Sequence, residues 1–294
     1  TGASNTGVGK SALTANTTAS SNTAVGRNAL LAATTGGYNT AVGKSAGTAV
    51  TTGTGNAFFG LNAGSLTTTG VANTFVGGSH ASYAGASNTT GGQNTGIGTD
   101  ALKSNTTANY NTAVGTKSLF SNTTGTENVA VGYQALKANT TSNANTAVGY
   151  DALLVATADN NTAVGKDSLK ANTTGTRNTA TGRGSLQATT TGSYNTANGY
   201  QTLKANTTGS WNAAIGDNTL SSNTSGETNT AVGNSALAAN TTASNNVAIG
   251  DRALTANTTG VSNTAVGSRS LDANTTGGNN VAVGYYALKS NTTG

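Results

Sequence analysis

The residues of this chain that could perform acid–base or metal chemistry are few and scattered. One histidine, His80, and nine acidic residues occur among 294 residues, and cysteine is absent. A thiolate nucleophile, a disulfide and a cysteine-ligated metal are therefore excluded. The carboxylates stand singly, as at Asp100 and Asp217, whereas general acid–base catalysis needs paired groups. The sequence predicts no enzyme, no catalytic or metal-binding residue and no cofactor.

The basic residues follow a pattern that is not typical of nucleic-acid binding. The formal charge is +5, and 13 of the 14 Lys and Arg residues occupy three positions of a repeat described below. Six of the nine acidic residues share these positions. Because a nucleic-acid interface needs clustered charges of one sign, we interpret these positions as a solvated edge that keeps the chain soluble. No nucleic-acid partner is predicted.

Asn-Thr-Thr and Asn-Thr-Ser triplets are a frequent chemical motif of the chain. Each matches the acceptor pattern for N-glycosylation, so a secreted chain would carry glycans along one edge. Alternatively, the Asn turns the chain and the Thr residues form local hydrogen bonds. The candidate acceptors are Asn16, Asn105, Asn122, Asn139, Asn172, Asn206, Asn223, Asn240, Asn257, Asn274 and Asn291.

The composition is not that of an average globular enzyme. Thr (59 residues), Asn (39) and Gly (41) make up 139 of the 294 residues, only 8% are charged, and Pro is absent. The absence of Pro suits a backbone whose N–H groups are mostly hydrogen-bonded. The chain has no apolar run near the ~18 residues of a membrane helix, so we predict no membrane span.

A short repeat organises the whole chain. The Asn of a recurring Asn-Thr-Ala-Val-Gly string, taken as position 1, occurs 17 times, and 14 of the 16 spacings are 17 residues. The consensus is NTAVGxxALxANTTGxx. Paired-helix repeats need about 33 residues or more, and Thr, Asn and Gly are weak helix formers. Both ends fall within the pattern, so we expect residues 1–294 to be one array cut from a longer chain.

Three positions of the repeat predict the fold. Position 5 is Gly in all 17 repeats, position 4 is Val, Ile or Phe in 15, and position 9 is Leu in 14. Alternation along a strand places positions 2 and 4 on one side and position 3 on the other. We expect two short strands per repeat and a thin core of position-4 and position-9 side chains. The predicted fold is all-β, a parallel β-solenoid (β-roll) of about 17 rungs, one rung for each repeat.

The Asn at position 1 allows two structural interpretations. Its side-chain amides could stack and hydrogen-bond from rung to rung, as in cross-β assemblies, or each could bond only its own turn. The residues of this predicted ladder include Asn5, Asn22, Asn39, Asn111, Asn128, Asn178, Asn246 and Asn280.

Residues 44–93 depart from the consensus and contain a four-residue insertion. Larger side chains are expected to fill the core where Leu is missing, and residues 81–92 are expected to protrude as a loop. Decayed repeats are the plainer interpretation. The residues that replace Leu at position 9 are Gly47, Gly64 and Ala81, and the phenylalanines of this region are Phe58, Phe59 and Phe75.

Aromatic residues also recur in phase. Tyr194 and Trp211 occupy position 17 of adjacent repeats. Stacking between such rings would stabilise the solenoid, which is the favoured interpretation, and the alternative is a platform that binds sugar.

The Asn-Val-Ala-Val-Gly and Asn-Val-Ala-Ile-Gly strings that begin at Asn128, Asn246 and Asn280 resemble the head repeat of trimeric autotransporter adhesins. The resemblance implies a left-handed parallel β-roll, three chains side by side, and a surface that binds host or matrix. This chain differs in its longer unit, its regular Leu and its added Asn-Thr-Thr-Gly arm. Similar repeats also occur in fibre proteins that carry a tail-fibre chaperone domain.

The expected function is structural and adhesive. The chain would form the shaft or head of an extracellular or cell-surface fibre, and its partners would be further copies of itself and a host, matrix or glycan surface. A homotrimer is expected, with end-to-end filaments as an extension. The alternative is an ice-binding solenoid that uses the stacked Thr residues of the arm, and a phage-type fibre shaft is a third candidate.

Overall fold

The structure, a computed structural model, describes residues 2–79 and 82–293, so His80 and Ala81 lie outside the described residues. The predicted fold class is confirmed: the chain is all-β, a parallel β-solenoid with one turn about every 17 residues. No described segment forms a helix long and apolar enough to cross a membrane. The chain divides into two compact units, Thr1–Asn145 and Thr146–Gly294.

Unit 1 (Thr1–Asn145) contains eight parallel strands and one antiparallel hairpin among its described residues. The parallel strands pair in register, so that Thr23 of one strand lies beside Thr40 of the next. The strands of unit 1 are β1 Thr6–Val8, β2 Thr23–Val25, β3 Thr40–Val42, β4 Ala57–Phe59, β5 Thr74–Val76, β6 Gly78–Ser79, β7 Ser82–Tyr83, β8 Thr95–Ile97, β9 Thr112–Val114 and β10 Val129–Val131.

Unit 2 (Thr146–Gly294) contains nine parallel strands in its described part. Pairing again joins equivalent repeat positions, and the shorter first repeat is absorbed outside the strands, since Thr146 pairs with Thr162. The strands of unit 2 are β11 Thr146–Val148, β12 Thr162–Val164, β13 Thr179–Thr181, β14 Thr196–Asn198, β15 Ala213–Ile215, β16 Thr230–Val232, β17 Val247–Ile249, β18 Thr264–Val266 and β19 Val281–Val283.

The glycine at position 5 ends each strand because no other residue fits there. Gly26 has a φ of 132°, a conformation that L side chains rarely adopt. A Cβ on Gly26 would also lie 2.5 Å from the carbonyl oxygen of Gly43 on the next rung. The close approach of stacked rungs and the turn therefore both require glycine.

The core differs from the sequence prediction at position 4. The Ala at position 3 is buried, as at Ala24 and Ala113, and so is the Leu at position 9, as at Leu30. The Val at position 4 instead faces solvent, and Val42 is 37% exposed. The predicted alternation along the strand is correct. However, the Ala at position 3 faces the core, and the residues at positions 2 and 4 face outward. Only the Leu of the predicted Val–Leu core lies inside.

The second strand expected in each repeat is also absent from the described rungs. Residues at positions 7 and 9 have left-handed backbones, as at Asn28 (φ 61°) and Leu30 (φ 47°). These dihedrals are incompatible with a β-strand. The segment still bonds from rung to rung, because the Leu30 N–H donates to the Ala46 carbonyl at 3.0 Å.

The prediction that larger side chains fill the glycine-containing core is confirmed for two phenylalanines. Phe58 and Phe75 occupy position 3, are fully buried and stack with ring centroids 5.8 Å apart. A Cβ at Gly47 or Gly64 would lie 2.6 or 2.4 Å from the Phe58 ring. The ring therefore occupies space that Leu side chains fill elsewhere. Phe59 lies on the outer side and is 39% exposed.

The inserted residues do not form the predicted loop at 81–92. Strands β6 and β7 make an antiparallel hairpin, in which Gly78 pairs with Tyr83. The chain then returns to the rung pattern, since the Gly85 N–H donates to the Ala101 carbonyl at 3.0 Å, as Leu does at position 9 elsewhere. The insertion thus precedes Gly85, and Asn88 becomes the position-12 residue of this rung.

Candidate binding surfaces

The Asn at position 1 connects successive rungs from inside the solenoid. The Oδ1 of Asn22 accepts from the backbone N–H of Asn39 at 2.9 Å, and its Nδ2 donates to the Gly36 carbonyl at 3.0 Å. The same arrangement occurs in unit 2, where the Oδ1 of Asn195 accepts from the N–H of Asn212 at 3.0 Å. Each amide therefore satisfies backbone groups of two rungs, which makes this column structural.

The Asn at position 12 forms a second internal column. The Nδ2 of Asn122 donates to the Oδ1 of Asn105 at 2.9 Å and to the Gly125 carbonyl at 2.9 Å. Asn88, whose Oδ1 accepts from Asn105 at 2.8 Å, belongs to the column, although the insertion hides its phase in the sequence. The fully buried members are Asn88, Asn105, Asn122, Asn139, Asn172, Asn206, Asn223, Asn240, Asn257 and Asn274.

This burial counts against the glycosylation hypothesis for the folded chain. A glycan attaches to the Asn Nδ2, and in nine of the eleven candidate acceptors that atom is a buried hydrogen-bond donor. The remaining two, Asn16 and Asn291, are partly exposed. The motif therefore has a structural explanation, and glycan occupancy stays an untested prediction.

The Thr residues of the arm form an outer ladder. The hydroxyl of Thr207 donates to the Thr224 carbonyl at 3.0 Å, and the hydroxyl of Thr34 donates to the Thr51 carbonyl at 3.1 Å. Their donor capacity is thus used between rungs. This arrangement leaves the arm with fewer free donors than its sequence suggests.

The outer side of the strands forms a regular surface in each unit. It consists of the position-2 and position-4 side chains, which we call the Thr-Val face. In unit 1 the position-4 column is apolar in all eight parallel strands, and in unit 2 it is interrupted only at Thr181 and Asn198. No position-2 or position-4 residue is charged, and hydroxyls such as that of Thr40 point outward without a protein partner.

Unit 2 carries a second type of surface feature, columns of aromatic and cationic side chains. Tyr194 and Trp211 stack with centroids 5.5 Å apart and ring planes 8° apart. The guanidinium of Arg177 lies 5.3 Å from the Tyr194 ring centroid and donates to its hydroxyl. At the C-terminal end of the same strands, the guanidinium of Arg183 lies 5.8 Å from the Tyr200 ring centroid.

The charged edge predicted from the sequence contains ion pairs. Lys170 lies 2.9 Å from carboxylate oxygens of both Asp151 and Asp167, whereas Lys103 pairs with Asp100 alone at 3.0 Å. Hydrogen bonds to Asp151 and then to Asp167 raise the pKa of Lys170 above its ordinary value of 10.5. These pairs neutralise the edge locally, at Lys103 and Lys170.

Within the described ranges, no three His, Asp or Glu side chains are close enough to hold a metal ion, and no ligand-sized pocket is present. The fold and its surfaces define the chain as a β-solenoid repeat protein. No protein-family model matches it, and neither a curated protein nor a solved structure shows significant similarity to it.

Proposed function

We propose that this chain is a structural and adhesive segment of an extracellular or cell-surface fibre, without catalysis, in which copies associate through the Thr-Val face of unit 1. The observation that supports the proposal most strongly is that face itself. It exposes a continuous apolar column in unit 1, while all charges lie elsewhere in the repeat. Exposed contiguous apolar surface marks interaction sites.

The periodicity of the face supports a second copy as its occupant. Stacked strands repeat every ~4.8 Å, and alternate side chains along a strand repeat every ~6.6 Å. A partner with the same spacings can place its Val side chains between those of the first copy over many rungs. The resemblance to adhesin heads supports a homotrimer, and the same face would serve a related fibre.

Light scattering on the purified chain tests this proposal. We expect three times the chain mass. The double variant Val25→Lys/Val114→Lys places charges on the Thr-Val face of unit 1 and should dissociate the assembly without unfolding it, because both side chains lie on the outer side. The control Asn28→Lys/Thr116→Lys adds the same charge at positions where other repeats carry Lys. A monomeric parent chain, or equal dissociation by both variants, would contradict the proposal.

Ice binding is the second candidate function, and one observation favours it. Within the described residues, the Thr hydroxyls of the Thr-Val face have no protein hydrogen-bond partner, unlike the hydroxyls of the arm, and the face carries no charge. Thermal hysteresis of the parent chain would support this function if Thr40→Lys abolishes it. Absence of hysteresis removes the candidate and leaves the fibre proposal unaffected.

A further inference from the structure

Strands β13 and β14 of unit 2 break the repeat at the Thr-Val face. Thr181 and Asn198 replace the Val, Ile or Phe that the other 15 repeats carry at position 4. The two residues are direct neighbours, because β13 and β14 pair with Thr181 opposite Asn198 and Thr179 opposite Thr196. These two rungs therefore present four polar side chains where an average pair presents two polar and two apolar ones. We call these four residues the polar floor.

Aromatic and cationic residues border the polar floor at both ends of the strands. Arg177 and Tyr194 precede β13 and β14 by two residues, and Arg183 and Tyr200 follow them by two residues. All four side chains are exposed or partly exposed. The polar floor and the stacked Arg–Tyr pairs therefore lie on the same rungs. Independent loss of the consensus at single positions would not explain this coincidence.

The aromatic border ends at Trp211, which offers an unfilled stacking position. One face of its ring contacts Tyr194, and the next residue of the same column is the small Thr228. The indole is 57% exposed. Because successive rungs are ~4.8 Å apart, a flat ring placed over Thr228 would continue the stack on Trp211. The apolar face of a sugar ring can stack on the apolar face of the indole in this way.

The charges around the floor favour an anionic ligand. Arg177 and Arg183 lie on the border columns of these rungs, and residues 177–211 contain no acidic residue. Lys166 follows β12 on the preceding rung and is next to Asp167 in the chain. The acidic residues Asp217 and Glu227 belong to the following rung. Arg guanidinium groups bind carboxylate or sulfate oxygens with two parallel hydrogen bonds.

We propose that the polar floor, Trp211 and the flanking arginines bind an acidic polysaccharide. A sugar ring stacks on Trp211, hydroxyl groups exchange hydrogen bonds with the Thr and Asn side chains of β13 and β14, and Arg177 and Arg183 bind the anionic groups. This site rests on the proposed adhesive function, for which it supplies the ligand class. It does not require the self-association of the Thr-Val face.

The decisive variant restores the consensus. Thr181→Val/Asn198→Val should fold, because Val occupies position 4 in most other repeats, and it removes only the two residues that distinguish the polar floor from a regular pair of rungs. Binding is measured by calorimetry with alginate, a polyuronate, and with neutral dextran. We expect the parent chain to bind alginate and not dextran, and the double variant to lose about tenfold in affinity, the value of one to two hydrogen bonds. Unchanged affinity overturns the proposal.

Matched pairs separate this site from general attraction between a basic chain and a polyanion. Trp211→Ala and Arg183→Gln should weaken alginate binding, whereas Tyr38→Ala and Arg27→Gln, at the same repeat positions in unit 1, should not. Equal losses within a pair, or equal binding of dextran, overturn the proposal. Light scattering of the same variants reports self-association, so failure of the sugar site and failure of the fibre proposal remain distinguishable.

Discussion

Two kinds of rung fill their own cores from opposite sides. One kind contains Phe58 or Phe75, and the other is the regular rung of unit 2. In a regular rung the strand contributes a buried Ala, as at Ala214, and the turn contributes a buried Leu, as at Leu220. In the Phe rungs the strand contributes the large side chain and the turn contributes glycine, as at Gly64. The comparison indicates that each rung needs a certain side-chain volume in its core. Either position 3 or position 9 can provide the large side chain.

The two solutions differ in backbone strain. All 14 leucines at position 9 have positive φ, from 47° to 55°. A non-glycine residue pays about 1–2 kcal/mol for that conformation, whereas Gly47 and Gly64 adopt it freely. The regular rung accepts the strain because, with Ala on the strand, only the turn position can place a large apolar group in the core.

The largest expected effect comes from removing the buried Phe58 side chain. Phe58→Ala should destabilise unit 1 by about 3–5 kcal/mol, because the glycines opposite cannot fill the cavity. Phe59→Ala is the matched control, and it should cost far less because its side chain is half-exposed on the outer side. Urea unfolding followed by circular dichroism measures both. Similar losses for the two variants would show that the buried ring does not determine stability.

An intermediate effect is expected from placing a Leu at position 9 in a rung that already has a Phe at position 3. Gly64→Leu should cost about 1–3 kcal/mol through overpacking, because its Cβ would lie 2.4 Å from the Phe58 ring. The double variant Phe58→Ala/Gly64→Leu should be more stable than the sum of the single losses predicts, since it recreates the regular rung. Recovery will be partial, because Gly47 stays unfilled. A double-mutant cycle measures the coupling, and strict additivity would refute the shared-volume interpretation.

The smallest effect concerns the charged edges of the two units. Lys170→Met in unit 2 should lose more stability than Lys103→Met in unit 1, because Lys170 contacts two carboxylates. The loss should stay below about 1 kcal/mol, since the lysine ends of the pairs are partly exposed and screened by solvent. The pKa of Lys170 is raised on folding, so its contribution is complete below pH 10.5 and is lost as the pH rises through the raised value. Thermal unfolding at pH 7 and pH 11 tests this, and a difference that grows at pH 11 would contradict it.

Much of the fold could be predicted from the sequence, because stacking requires identical positions to coincide. The 17-residue phase predicts the parallel register, and the invariant glycine predicts the turn that Gly26 makes. The side of the strand that faces inward could not be predicted. Alternation distinguishes Ala24 from Val25 but does not say which side is the core, and the usual preference of Val for burial gives the wrong answer.

The candidate surfaces were less predictable. The Asn-Thr-Thr motif allowed either a glycan acceptor or a structural Asn, and the sequence did not show that Asn122 and its equivalents form an internal column. The stacking of Tyr194 on Trp211 was visible as a repeat phase. The polar floor was not predicted from the sequence. Position 4 was expected in the core, where the exceptions Thr181 and Asn198 do not indicate a binding surface.

The sequence by itself determined the period, the parallel stacking, the obligatory glycines and the scarcity of catalytic groups, because each follows from residue types repeated in fixed phase. Tertiary structure alone decided which columns lie inside. That choice depends on the width of the closed rung, where a three-residue strand leaves space for one Ala and left-handed Leu residues fill the rest. A one-dimensional pattern does not contain that width, and the same choice exposed the Thr-Val face on which both proposals rest.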